Sequence, residues 1–208
     1  MKRTDNYALQ AQGAMDYFLR YDQEAIIRKL KLRSDADYLY TRMLCMPYRI
    51  CRHTGRLQRQ EGEAWVDANS HGEVMTLLDL VCDSREDRFL SSRWESMATF
   101  GLKFHQNLLE DRKDTFAEAI QENPDAFTQV CRSMRGEPIP GADLAFSVDF
   151  FDGMGIGIQF WEGDEEFAPR VRFLWDQNAS MYLKYETMHF AIGLLRKRIM
   201  EEMKNLAA

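Results

Sequence analysis

The sequence predicts an α+β fold with a mainly antiparallel sheet. An N-terminal hairpin and a C-terminal three-stranded meander are covered by several helices, the last of them long. Three observations carry this. In Leu144-Ala145-Phe146-Ser147-Val148-Asp149-Phe150 every even position is large and apolar while odd positions are small or polar. Ile156, Ile158 and Phe160 repeat that alternation across Asp152-Gly153, and Val171, Phe173 and Trp175 alternate with Arg170 and Arg172. A period of two places each apolar set on one face of a strand. Finally, Tyr185, Met188, Ile192, Leu195, Ile199 and Met203 step by three and four along one long helix, which is expected to cover the meander. Strands and helices come in blocks rather than in β-α-β alternation, so a parallel sheet is not expected.

The elements follow in order. Ala8, Ala11, Met15, Phe18 and Leu19 recur at helical intervals, and Ile26, Ile27 and Leu30 resume after Tyr21-Asp22. Tyr38 to Leu44 is aromatic and branched and reads as a strand. Pro47 interrupts it, and a second strand runs from Tyr48 to Arg52, ending near Thr54-Gly55; a third is placed around Glu63 to Val66. Ser70-His71-Gly72-Glu73 is a capping box that opens a helix to about Cys82. From Phe89 to Phe104, Trp94, Met97 and Phe100 have helical spacing between loop-like flanks. Asp114 to Gln121 reads as helix, and Asn123-Pro124 starts another that Gly136 and Pro138 stop near Met134. Arg196, Lys197 and Arg198 suit the negative pole of the final helix.

With 208 residues, 45% hydrophobic and 29% charged, the chain is read as one α+β domain over residues 1–208, large enough to build a core without disulfide or metal. Mean hydropathy is −0.47 and no apolar run approaches a membrane span. The opening Met-Lys-Arg-Thr-Asp-Asn-Tyr is too polar for a signal peptide, so a cytoplasmic location is expected. A net charge of −6 disfavours nonspecific binding to nucleic acid.

Motifs for chemistry are scarce. Cys45, Cys51, Cys82 and Cys131 contain no C-x-x-C pair, and His53, His71, His105 and His189 no H-x-x-x-H pair, so no metal set is expected from spacing. There is no G-x-S-x-G and no Walker glycine loop. Gly153, Gly155 and Gly157 alternate inside a hairpin, where a phosphate cradle would not form.

Two charged groupings are candidate binding sites. Trp161-Glu162-Gly163-Asp164-Glu165-Glu166-Phe167 crowds acids into one loop, with Asp152, Asp176 and Glu186 expected near it; crowded carboxylates repel and invite a hard cation. The plain alternative is a solvated turn in which Asp176 caps a turn and Glu166 pairs with Arg170 or Arg172. Between Arg42 and Gln60 there is no acid, and Arg42, Arg49, Arg52, Arg56 and Arg59 stand beside Tyr48 and His53. Such arginines could hold a phosphate or carboxylate, or serve only to blunt a sheet edge.

The runs Phe160-Trp161-Glu162-Gly163-Asp164-Glu165-Glu166-Phe167 and Phe173-Leu174-Trp175-Asp176, with Ala179, Leu183 and Glu186, resemble the signature of the domain of unknown function 3786 family of bacteria and archaea. Weaker similarity extends upstream to Met75–Leu80 and Tyr21-Asp22. The resemblance implies a protein of anaerobic prokaryotes, joined in some relatives to an iron–sulfur domain, and brings no established reaction or cofactor. It points to the acidic loop, Asp176 and Glu186 as the first site to test. The expected role is a non-catalytic binding or accessory protein for a small anionic ligand, a cofactor or a protein partner. The alternatives are a divalent-metal-dependent hydrolase acting through Asp164, Glu165, Glu166 and Asp176, and a structural homodimer joined along the Tyr185–Met203 stripe.

Overall fold

The computed structural model describes residues 6–101 and 114–207. The first five residues, His105 and the end of the 89–104 stretch lie outside them. The α+β expectation holds: seven α-helices among the described residues accompany two five-stranded antiparallel sheets. The chain divides into two compact units, one of residues 6–89 with Met181–Ala191, the other of residues 90–101, 114–180 and 192–207.

The first unit begins with helices α1 (Asn6–Arg20) and α2 (Gln23–Leu30). They are separate because the Asp22 carboxylate caps α2, accepting from the Ala25 amide at 3.0 Å. Strands β1 (Arg33–Ser34), β2 (Tyr38–Met43), β3 (Met46–Cys51), β4 (Leu57–Glu61) and β5 (Ala64–Asp67) pair in sequence order. Leu39, Met43, Tyr48, Ile50 and Leu57 turn to the buried face. Pro47 does not break β3, because the strand is paired only with β2 there and pairing with β4 begins at Tyr48. The sequence reading missed β4, whose Leu-Gln-Arg-Gln-Glu carries one apolar residue.

Helix α3 (His71–Asp83) follows, and its capping box is present in a modified form. The Glu73 amide donates to the Ser70 hydroxyl at 3.4 Å, and that hydroxyl donates to Glu73 Oε2 at 2.6 Å. Glu73 Oε1 accepts from the Tyr48 hydroxyl and the Arg59 guanidinium at 3.1 and 2.8 Å, so a nearly buried carboxylate is fully paired.

The second unit contains β6 (Trp94–Ser96), α4 (Met97–Phe100), α5 (Thr115–Glu122), α6 (Pro124–Ser133), β7 (Glu137–Pro138), β8 (Leu144–Phe151), β9 (Met154–Trp161) and β10 (Arg170–Asp176). The sheet order is β6-β10-β9-β8-β7. The expected meander is its centre, and the short edge strands β6 and β7 are additions. Asp152 and Gly153 both have positive φ, 50° and 80°, as a two-residue hairpin turn matched to strand twist requires. Phe146, Ile158 and Phe173 form one cross-strand row. Helices α5 and α6 lay Phe116 and Phe127 on it, with ring centroids about 6 Å apart. On the other face, a Cβ at Gly157 would lie 2.9 Å from Leu174 Cβ and 3.4 Å from the Trp94 ring. That close approach accounts for the alternating glycines without a ligand.

Helix α7 (Tyr185–Ala207) gives residues 185–191 to the first unit and 192–207 to the second. Met188, Leu195, Ile199 and Met203 of the predicted stripe, together with Ala191, are buried within the chain. No helix among the described residues is long and apolar enough to cross a membrane.

Candidate functional site

The acidic loop belongs to the second unit, and its charges are committed to folding it. Asp164 Oδ1 accepts from the amides of Phe167 and Glu166, each at 2.8 Å, and these bonds hold its carboxyl below the usual range. Gly163 is tied to Gln121 of α5 through its amide, and the Glu162 amide donates to Asp143. Glu165 and Glu166 are exposed. Arg170 and Arg172 lie over the Trp161 ring, at 4.4 and 5.3 Å from its centroid, where the sequence reading offered them to Glu166. Asp176 is buried at the end of β10. It accepts from the Ser91 amide and hydroxyl, the Ser92 amide and the Asn178 amide at 2.8–3.0 Å. It is a pin for residues 91–92 and the following turn. Among the described residues, no three His, Cys, Asp or Glu side chains group closely enough to hold a metal ion, so the hydrolase alternative has no donor set there.

The four candidate arginines belong to the first unit but do not converge. Arg49 stands on the open face of the first sheet between Tyr38 and Trp65, 4.1 and 4.7 Å from their ring centroids, and donates to Gln58. Arg52, past the end of β3, is consumed by Gln23, Glu24 and the Asp35 carbonyl. Arg42 is exposed and donates to the Cys45 carbonyl; Arg56 is exposed.

Glu186 also belongs to the first unit, apart in the chain's organisation from the loop with which it was grouped. It lines a cleft of about 540 Å³ enclosed by α1, α3 and the start of α7. Ala14, Met75, Leu78 and Phe190 form apolar walls, and Tyr17, Asp79, Asp83, Lys184 and Thr187 supply polar groups. Asp79 is only 8% exposed. Its Oδ2 accepts from the Lys184 amide at 2.9 Å, at the positive end of α7, and its Oδ1 lies 3.0 Å from Lys184 Nζ. Lys184 Nζ also donates to Asp83, whose other oxygen accepts from the Tyr17 hydroxyl at 2.9 Å.

This wiring fixes protonation states. Burial pushes the Asp83 carboxyl up, but the hydrogen bonds from Lys184 and Tyr17 outweigh it and hold it low. Burial would lower the Lys184 ammonium, and the Asp83 and Asp79 carboxylates more than reverse that. Tyr17 is raised, first by its bond to Asp83 and then by burial. At neutral pH the set is therefore an ionised acid, a full ammonium and a neutral phenol.

Apart from Glu186, the residues of this cleft escaped the sequence reading. One signal was available: Asp79 interrupts the apolar run Leu77–Cys82, and a carboxylate in a core position must have a partner. The partner, Lys184, is too distant in sequence for any pattern to name.

Compared with curated proteins and with solved structures, the chain shows no significant match in either set. A family model described as domain of unknown function (DUF3786) matches residues 22–198, which include α2 and α3, both sheets and the first part of α7. That match spans most of the 208 residues, and the chain belongs to this family.

Proposed function

We propose that this protein is a binding module without chemistry of its own, and that the cleft between α1, α3 and α7 is where it holds a small organic molecule. A concave, mostly apolar site with a few convergent polar groups is the usual form of a ligand pocket. The observation that carries the non-catalytic part is the direction of the shifts. Acid–base catalysis needs a group that titrates near the working pH. Here Asp83 moves down while Lys184 and Tyr17 move up, each away from neutrality. The thiols add no nucleophile to the cleft: Cys82, on the same helix, is fully buried and pushed up to about 12 by that burial. All four cysteines are free, which supports a reducing, cytoplasmic setting.

The test is a fragment screen by ligand-observed NMR on the wild type and on Ala14→Phe, which fills the cleft from α1. Fragments with an apolar body should bind the wild type and lose binding in the variant. Absence of any hit, or hits indifferent to Ala14→Phe, overturns the proposal.

A further inference from the structure

We propose that the cleft takes an organic cation, a primary ammonium on an apolar body; this rests on the cleft being the binding site. Three carboxylates, Asp79, Asp83 and Glu186, line it against the single ammonium of Lys184. Asp79 and Asp83 both lie within ion-pair distance of that ammonium, which shows that this end of the cleft accommodates the group. Glu186 is left over: it is exposed and has no ion pair or side-chain hydrogen bond among the described residues.

Asp79 is a second, independent indication. It lines the cleft and is 8% exposed, yet its Oδ1, although 3.0 Å from Lys184 Nζ, receives no hydrogen bond. A buried carboxylate oxygen without a donor costs free energy unless a bound group supplies one. Phe190, one turn along α7, lines the same cleft, and its ring gives a cation a favourable face. An anion there would meet uncompensated negative charge.

The experiment compares three probes of equal chain length, hexylammonium, hexanoate and 1-hexanol, by titration calorimetry and NMR on the intact protein. Hexylammonium should bind at least about tenfold tighter than hexanoate, a difference of roughly one ion-pair interaction in a partly desolvated site. Glu186→Gln should weaken hexylammonium by about threefold or more and leave 1-hexanol unchanged, as expected for loss of an exposed ion pair. If hexanoate or 1-hexanol binds as tightly as hexylammonium, or Glu186→Gln has no selective effect, the cation inference falls while the cleft reading stands. If none binds at millimolar concentration and the fragment screen is also empty, both fall.

Discussion

Replacing Asp176 tests whether a carboxylate in the family signature is a ligand group or a fold-holding pin. Oδ1 accepts three bonds, from the Ser91 amide, the Ser91 hydroxyl and the Asn178 amide, and Oδ2 accepts the Ser92 amide at 2.8 Å. Ser92 has φ +60°, a conformation an L-residue adopts at a cost that the bond offsets. Asp176→Asn can keep one carbonyl oxygen for three donors, now as weaker neutral bonds, but turns an NH2 toward the Ser92 amide. Losing one charge-assisted bond costs about 1.5–3 kcal/mol, and weakening three others adds roughly 0.5 kcal/mol each, so about 3–4.5 kcal/mol is expected. For a chain of this size that is a fall in Tm of roughly 6–18 °C. Asp176→Ala, which strands all four donors, should cost still more. Urea unfolding followed by tryptophan fluorescence reads it well, because Trp94 is opposite Asp176 in the sheet register and Trp175 precedes it. A loss below about 0.5 kcal/mol for Asp176→Ala, or a gain in stability as when a strained functional residue is removed, would refute the pin.

Two further outcomes are expected. The Asp83–Lys184 pair should give stability a plateau with two edges. Asp83 is depressed, so its contribution is present above the unfolded value of about 3.9 and is lost as pH falls through its folded value; Lys184 is raised, so its contribution is present below about 10.4 and is lost as pH rises through its folded value. The Tm difference between wild type and Asp83→Asn should therefore hold steady from about pH 5 to 9 and shrink below pH 4; an unchanged difference at pH 2–3 would contradict the pairing. Cys51 should react with iodoacetamide before Cys82 and Cys131. Burial raises it, but hydrogen bonds from the Thr54 hydroxyl and the His53 and Thr54 amides bring it lower, whereas Cys82 and Cys131 are fully buried and raised by that burial. Peptide mapping of the native protein that finds Cys82 or Cys131 modified before Cys51 would be inconsistent with this order.

The fold was legible where local signals and burial agree. The alternation through Phe146, Val148 and Phe150, the Ser70 and Asn123 caps and the stripe from Met188 to Met203 each report a local rule that tertiary packing reinforces. The misses share a cause. β4 is polar because Gln58 and Gln60 lie on the first sheet's open face, and β1, β6 and β7 are two- or three-residue edges with too little sequence for a period to register. Pro47 looked like a terminator because its missing amide is a liability only in a strand paired on both sides, which sequence does not reveal.

The candidate site was less legible because charge density along a sequence and functional charge in a fold are different quantities. Asp164 and Asp176 stand out in a list of acids, yet each spends its oxygens on nearby backbone amides, the ordinary work of acids in turns. The carboxylates that frame the cleft are dispersed: Asp79 and Asp83 sit one helical turn apart among apolar residues in the second half of α3, and Glu186 lies at the start of α7 more than a hundred positions later. What separates the two kinds is leftover capacity. An acid whose bonds close within its own loop has nothing to offer a ligand, whereas Glu186 and Asp79 Oδ1 line a walled space with capacity unspent. For a member of a family without an assigned reaction, that residual capacity is a better guide to where a partner molecule belongs than the density of charge in the signature itself.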